Sequence, residues 1–263
     1  MKSAPKKSGI ILVPAFYFGL LLFWQILASL RLWPDYLFPS PLAVARRLFE
    51  LGQQNLLWPS LAATLKRVAA GFALSAVIGL FIGVAMGTSW IVNKTLKSLF
   101  LGMQTLPTAA WAPVSVLIFG LSDRGIYFVV IMSSVSAVAI ATADGILNIP
   151  PIYLRAARTL GTPPWLMYER VIIPAALPNI ISGLKLGWTL GWHGAVSAEL
   201  IKSSLGLGFL LYMGRELNDA AQVIGIMLLT IFFGLLLDQF IFGVIERKIR
   251  RRWGLTAEQD LGH

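Results

Sequence analysis

Six long apolar stretches decide what this chain of 263 residues can fold into. About 20 residues of α-helix cross roughly 30 Å of hydrocarbon, and a helix satisfies its backbone hydrogen bonds within one segment, as lipid requires. We place the spans at residues 10–30, 68–87, 99–121, 125–145, 179–200 and 221–245. The sequence therefore predicts an all-α integral membrane protein with six transmembrane helices in a single domain, 1–263.

Composition and charge support this prediction and exclude other classes. Hydrophobic residues make up 57% of the chain and charged residues 13%, and the mean hydropathy is +0.74, which excludes an ordinary soluble domain. The net charge is +10, but the basic residues bunch at the ends of the spans, as lipid anchors do. We therefore predict contact with membrane lipid and no nucleic-acid partner.

The distribution of Lys and Arg also predicts the orientation. Thirteen of them fall on the side of the N-terminus and eight on the other side, which favours both termini in the cytoplasm. Outside the spans, residues 41–51 (PLAVARRLFEL) predict an interfacial amphipathic helix. The basic tail, 246–263, begins with ERKIRRR, which is typical of a lipid-headgroup anchor.

The sequence contains no motif for chemistry of its own. It has no cysteine, its histidines are His193 and His263, and neither H-E-x-x-H nor the phosphate loop G-x-x-x-x-G-K-[ST] occurs. We therefore predict no catalytic residue, no metal site and no cofactor bound by this chain. If ATP drives its action, another subunit binds the nucleotide.

A polar, proline-containing stretch, 148–178, separates the fourth and fifth spans. Residues 152–160 predict a short helix, which Gly161 closes in a left-handed conformation. Thr162 as N-cap and Pro163 as first residue predict a second helix, ending near Pro174. The product is a helix-turn-helix at the membrane surface, and the alternative is an ordinary polar loop.

The spacing within this stretch resembles a known docking element. An Ala-Ala pair is followed after three residues by Gly161, and nine residues then separate Gly161 from a V-I-I-P run. This pattern is similar to the coupling motif of ABC-importer permeases, E-A-A, three residues, G, nine residues, I, one residue, L-P, with Arg155 in place of the glutamate. On this resemblance the residues assigned to ATPase coupling are Arg155, Ala156, Ala157, Gly161, Trp165, Val171 and Pro174.

The fifth span predicts a helix with two unlike faces. Its small face, suited to close helix packing, carries Gly183, Gly187, Gly191, Gly194 and Ala198. Its other face carries Lys185, Thr189, Trp192, His193 and Glu199. Polar groups at membrane depth are costly and usually line a cavity or a contact. Alternatives stay open: Lys185 snorkels to the cytoplasmic interface, His193 hydrogen-bonds a neighbouring helix, and Glu199 is wetted at the external end.

Two further spans bear on function. Gly71, Ser75, Gly79, Gly83 and Gly87 predict a tightly packed second span. In the third span two prolines free backbone carbonyls, as irregular backbone beside a pathway does, and Ser133, Ser134 and Ser136 of the fourth span are a weaker candidate. The residues we assign to the pathway are Lys185, Trp188, Thr189, Trp192, His193, Ser197, Gln104, Thr105 and Thr108.

Other segments extend the resemblance over nearly the whole chain. FPSPLA at 38–43, the Phe-Gly ending the third span, and the E-L-I and G-L-G runs after the fifth look like the nitrate, sulfonate, taurine and bicarbonate branch of ABC permeases. The resemblance implies the type I ABC importer permease fold with a cytoplasmic coupling helix between spans 4 and 5. It also implies a small-anion substrate and a bacterial inner membrane.

The implied assembly is a homodimer of the permease with two ABC ATPase subunits, which use ATP and Mg, and an external (periplasmic) substrate-binding protein. The alternative function is a self-sufficient secondary transporter or channel for a small solute. An intramembrane enzyme is a third class, but His193 has no nucleophile or ligand partner at motif spacing.

Overall fold

The computed structural model describes residues 8–30, 32–34, 36–202 and 204–243, and nearly all of them are helical, as predicted. The predicted basic tail, 246–263, lies outside the described residues. One 3₁₀ turn (Thr108–Ala110) and two π-helical turns (Tyr168–Ile172 and Gln239–Gly243) supplement the α-helices. The α-helices are α1 (Ser8–Ser29), α2 (Pro41–Gln53), α3 (Leu57–Thr88), α4 (Trp90–Thr105), α5 (Trp111–Phe119), α6 (Asp123–Leu147), α7 (Pro151–Thr159), α8 (Pro164–Met167), α9 (Ile173–Lys202), α10 (Leu207–Glu216) and α11 (Ala220–Asp238).

Four helical segments among the described residues are long and apolar enough to cross a membrane. They are Leu57–Thr88, Asp123–Leu147, Pro164–Ile201 and Ala220–Gly243. Two shorter apolar helices, Pro14–Ser29 and Thr108–Phe119, fall where the first and third spans are predicted. The multi-pass helical architecture is therefore confirmed, and the count of six spans stays a prediction.

The third predicted span is divided into two helices. α4 ends at Thr105, Leu106 and Pro107 are extended (ψ 130° and 138°), and α5 begins at Trp111. Leu106 precedes a proline, whose ring disfavours the helical conformation of the residue before it. Pro113 lies in the first turn of α5, where a missing N–H leaves no helical bond unmade. The predicted proline-broken backbone of the third span is therefore confirmed at Pro107, whereas Pro113 does not interrupt α5.

Small residues bring α3 and α6 into close contact. A Cβ added at Gly71 would lie 2.8 Å from Val130, and one added at Gly79 would lie 2.8 Å from Val138. Atoms of real side chains do not approach so closely, so a larger residue would separate the helices. The predicted close packing of the second span is confirmed, and it supplies the dispersion contacts on which helix association in lipid depends.

The small face of α9 also packs against α6. A Cβ added at Gly187 would lie 2.8 Å from Val138, and one at Gly191 would lie 2.7 Å from Ser134 Oγ. The predicted glycine face is therefore confirmed as a helix contact. Phe72 of α3 also lies close to Gly187, so that α3, α6 and α9 contact one another and form a packed core.

A helix, α2, occupies the segment predicted to be amphipathic. Ser40 Oγ accepts a hydrogen bond from Ala43 N at 3.3 Å and caps its first turn. Arg47 forms an ion pair with Asp219, and its Nη2 donates to Gln222 Oε1 at 2.9 Å. These contacts tie α2 to the start of α11, and the position of α2 at a membrane interface stays a prediction.

Candidate functional site

The short helix α7 ends in a fully bonded left-handed turn. Gly161 has φ +69°, its N–H donates to Arg158 O at 3.0 Å, and Thr162 N donates to Ala157 O at 3.1 Å. This pair of bonds is the Schellman arrangement, which satisfies two carbonyls at a helix end. The prediction of a helix closed by a left-handed Gly161 is confirmed.

The helix that follows Gly161 begins one residue later than predicted. Pro163 is extended (φ −65°, ψ 153°) and serves as N-cap, so that the helix begins at Pro164, and not with Thr162 as N-cap and Pro163 as first residue. The reason is that Pro163 precedes another proline and is excluded from the helical region.

The helix also continues through Pro174, where the sequence predicts an end. A π-helical turn, Tyr168–Ile172, directly precedes α9, and Ile173 N donates to Tyr168 O. The wider i→i−5 turn relieves the proline that follows it, as π-bulges do inside helices. The result is one apolar helical segment of 38 residues, Pro164–Ile201, rather than a separate helix-turn-helix.

The surface of α7 and α8 carries large apolar side chains. Leu160 is 84% and Trp165 is 66% exposed, and Ile152 and Tyr153 are also exposed. Ala157, by contrast, is buried. Large exposed apolar side chains on a short polar connection indicate a protein contact. Arg155 and Ala156 are exposed beside it, while Val171 and Pro174 are half-buried.

A cavity of about 430 Å³ lies between α9, α10 and α11. Four predicted pathway residues of α9 line it, and α11 adds two polar residues to mainly apolar walls. The polar and aromatic lining residues are Trp188, Thr189, Trp192, His193, Thr230 and Asp238. The clustering of four candidates in one cavity follows from their shared helical face.

The remaining pathway candidates lie elsewhere. Lys185 is beside the cavity, where its Nζ is 3.2 Å from Asp238 Oδ2. Ser197 is half-buried further along α9 and is not part of the wall. The third-span candidates are in a separate region, exposed at Gln104 and Thr105 and half-buried at Thr108. Contact of any of these residues with a solute stays a prediction.

Sequence reasoning missed the contribution of α11 to the cavity. Asp238 lies inside the apolar segment Ala220–Gly243, and an acidic residue at such a position is rare and usually functional. That signal is visible in the sequence. The pairing of Asp238 with Lys185 is not, because it depends on how α9 and α11 pack.

Residues 75–251 match the protein family described as binding-protein-dependent transport system inner membrane component. The chain belongs to this family. The permease is 31% identical over 253 residues to the bicarbonate transport system permease protein CmpB of Synechococcus elongatus (90% of this chain, 88% of that one). It is 29% identical over 243 residues to the nitrate import permease protein NrtB of Leptolyngbya laminosa (89% and 85%). It is 31% identical over 202 residues to the taurine transport system permease protein TauC of Escherichia coli K12 (75% and 74%).

A solved structure shares the fold of the permease. It is that of the MetNI methionine ABC transporter in an inward-facing form, with a TM-score of 0.58, 18% identity, and coverage of 72% of this chain and 96% of that one. At this identity the likeness concerns the fold alone. The resemblance to ABC-importer permeases is confirmed by the family match and by the similarity to the named permeases.

At the far end of α9 from α7 the permease buries a charged network. Glu199 is 1% exposed, and its carboxylate accepts hydrogen bonds from Thr64 Oγ1 at 2.8 Å, Arg67 Nη1 at 2.9 Å and Gly208 N at 3.1 Å. Arg67 also donates to Asp123 Oδ1 at 2.8 Å. The interpretation of Glu199 as wetted by the external interface is therefore wrong, because α3 and α10 close over it.

Proposed function

We propose that this permease forms the membrane pathway of an ATP-driven importer for a small anion of the nitrate, bicarbonate, sulfonate or taurine class. The observation that carries the proposal is the exposed apolar surface of α7 and α8, held by the Gly161 turn. Such a surface suits insertion into a groove on an ATPase subunit. The proposed substrate class is inferred from the names of the similar bicarbonate, nitrate and taurine permeases.

The continuous segment Pro164–Ile201 gives this surface a mechanical role. At about 1.5 Å per residue, its 38 residues run without interruption from α8, along the cavity, to Glu199. A displacement of α7 and α8 by the ATPase would therefore shift α9 against α11 and change the cavity between them. The ATPase, and not this chain, would bind ATP and Mg.

The assembly proposed with this mechanism has two copies of the permease, two ATPases and an external binding protein that delivers the solute. The proposed location is a bacterial inner membrane with both termini in the cytoplasm, which also places α7 on the cytoplasmic side. Arg155 is exposed next to the apolar surface, and its positive charge replaces a glutamate of the family motif. The partner ATPase should therefore present no basic side chain opposite it.

The test is co-purification of the permease with its ABC ATPase, followed by ATPase assays in lipid nanodiscs with binding proteins and candidate anions. We expect a stable complex whose ATP hydrolysis rises with one loaded binding protein. Gly161→Val should abolish this stimulation while the helices stay folded, because a β-branched residue resists the left-handed turn. Gly161→Asn is the matched control, since asparagine tolerates that conformation.

Failure of a folded, dimeric permease to bind an ATPase would refute the proposal. Solute uptake without any ATPase would instead favour a secondary transporter or channel. The break between α4 and α5 is the feature that suits that alternative, since discontinuous helices surround the binding sites of such proteins.

A further inference from the structure

We infer that the cavity between α9 and α11 binds the primary ammonium group of a small organic solute. This inference rests on the proposed importer function and narrows its substrate class. Among small solutes handled by such a permease, it favours those that carry an amine over inorganic anions. The inference rests on a carboxylate, two tryptophan rings and two threonine hydroxyls that lie around this one cavity.

The carboxylate of Asp238 is the first argument for an ammonium group as ligand. Asp238 contributes a carboxylate, and no lysine or arginine is among the described residues that line the cavity. Lys185 balances Asp238 with Nζ 3.2 Å from Oδ2, but Lys185 itself is not part of the wall. Because Lys185 offsets the charge of Asp238, the carboxylate acts at the wall as a hydrogen-bond acceptor, and an inorganic anion such as nitrate has no proton to donate to it. An ammonium group can donate to Asp238 Oδ1, which is buried and accepts no hydrogen bond from the described residues.

The hydroxyl groups favour a hydrogen-bond donor as ligand. Thr189 Oγ1 donates to Lys185 O at 3.2 Å, and Thr230 Oγ1 donates to Ile226 O at 2.7 Å. Each hydroxyl proton is therefore used within its own helix. What remains on each oxygen is a lone pair, which can accept a hydrogen bond but not donate one. An ammonium group supplies three N–H donors, whereas nitrate supplies none.

The aromatic walls suit the same group. Both Trp188 and Trp192 line the cavity, and a cation that lies over the face of either ring would be stabilised by the ring quadrupole. Trp188 is held by edge-to-face contact with Phe72, with ring centroids 5.4 Å apart. Its orientation is therefore fixed before a ligand arrives, which lowers the entropy lost on binding.

The size and apolar character of the cavity favour an organic solute. Its volume of about 430 Å³ is many times the roughly 30 Å³ that one water molecule occupies in the liquid. An inorganic ion of three or four heavy atoms would leave most of it unfilled. Leu211, Met227 and Ile231 form apolar walls that can contact the carbon atoms of a larger solute.

The first experiment measures equilibrium binding of radiolabelled taurine to the permease alone, in phosphatidylcholine nanodiscs. Ethanesulfonate, which is taurine without its amino group, and nitrate are the competitors. We expect saturable taurine binding that ethylamine competes for and that ethanesulfonate displaces at least about tenfold less well than unlabelled taurine, a difference of 1.4 kcal/mol. Equal competition by ethanesulfonate or nitrate, or no saturable binding, would overturn the inference.

Variants assign the binding to this cavity. Asp238→Asn should weaken taurine binding about tenfold or more, and Thr230→Val should weaken it by a smaller factor. Asp144→Asn is the matched control, because Asp144 forms a Lys–Asp pair with Lys97 (2.6 Å) that is not part of this cavity. If Asp238→Asn does not fold, Ile231→Trp fills the cavity from an exposed position and leaves the ion pair intact. Unchanged binding in Ile231→Trp would overturn the assignment.

A lipid headgroup is a second possible source of the ammonium group, and phosphatidylethanolamine in the nanodisc tests it. If this lipid displaces taurine, the ammonium group that fills the cavity belongs to a lipid, and the inference about the solute is overturned. Binding is measured without ATPase or binding protein, so it does not depend on assembly. A permease that assembles and is stimulated, but shows no preference for amines, refutes this inference and leaves the proposed function standing.

Discussion

Two glycines with left-handed backbone stand near opposite ends of the segment Pro164–Ile201, and they differ in what surrounds them. Gly161 has φ +69°, and a Cβ added there would have no atom of the described residues within 4 Å. Gly206 has φ +143°, and an added Cβ would overlap the carboxylate of Glu199. The first position needs glycine for its backbone conformation alone, and the second also needs the absence of a side chain. We call the Gly161 end of the segment open, because it has room for a side chain, and the Gly206 end filled, because it has none.

Gly206→Ala should cause the largest loss of stability. The backbone conformation costs about 1–3 kcal/mol for any other residue, and overpacking a buried site adds about 1–3 kcal/mol. We expect a large fall in the thermal unfolding midpoint of the purified permease, measured in detergent. Gly161→Ala, which meets only the conformational cost, should lower the midpoint much less. Equal effects of the two variants would contradict the distinction between a filled and an open end.

Glu199→Gln should have the next largest effect. It removes one charge of a buried pair and leaves the Arg67 guanidinium with less compensation, which typically costs about 3–5 kcal/mol. Asp123 still pairs with Arg67, so we expect the lower end of that range, again from thermal unfolding. Lys97→Met, which breaks the half-exposed pair with Asp144, is the control and should cost under about 1 kcal/mol.

The double variant Glu199→Met with Arg67→Met tests whether the loss comes from an unpaired charge. Replacing both partners of a buried ion pair by apolar residues is often neutral or stabilising. We therefore expect it to be more stable than Glu199→Gln. If it is less stable, the network is needed for its geometry, and charge compensation does not account for the loss.

Gly161→Val should cost less stability than either change at the filled end. A non-glycine residue in the left-handed region costs about 1–2 kcal/mol, and α7 is a short surface helix whose loss would leave the core of α3, α6 and α9 intact. We expect a small shift in the unfolding midpoint together with loss of ATPase stimulation. A large fall in the midpoint would show that the turn supports the fold as well as the contact.

The features that the sequence could predict are those with a local cause. The Gly161 turn depends on residues next to it in the chain, and the small face of α9 is visible from helical spacing alone. The helical, multi-pass architecture follows from long apolar stretches in the same way. The end predicted at Pro174 failed because a π-turn, formed by its neighbours, absorbs the proline.

The features that the sequence could not predict depend on contacts between distant segments. Glu199 lies on the same helical face as the cavity residues, yet α3 and α10 bury it beside Arg67, 132 positions earlier in the chain. Asp238 joins the cavity because α11 packs beside α9. Helical periodicity predicts the face of a helix on which a residue lies. It does not predict which other helix packs against that face at each position along it.

Gly161→Asn should have the smallest effect of these variants, and the same substitution at residue 206 provides the contrast. Asparagine adopts left-handed backbone more readily than other non-glycine residues, so Gly161→Asn should change the unfolding midpoint little and keep most ATPase stimulation. Gly206→Asn should gain nothing over Gly206→Ala, because its side chain meets the Glu199 carboxylate and because φ 143° with ψ 167° lies outside the left-handed helical region that asparagine tolerates. Thermal unfolding of the alanine and asparagine variants at both positions measures these differences. If asparagine restores stability at residue 206 as it does at 161, the space beside Glu199 is not filled and the backbone at residue 206 is not restricted to glycine.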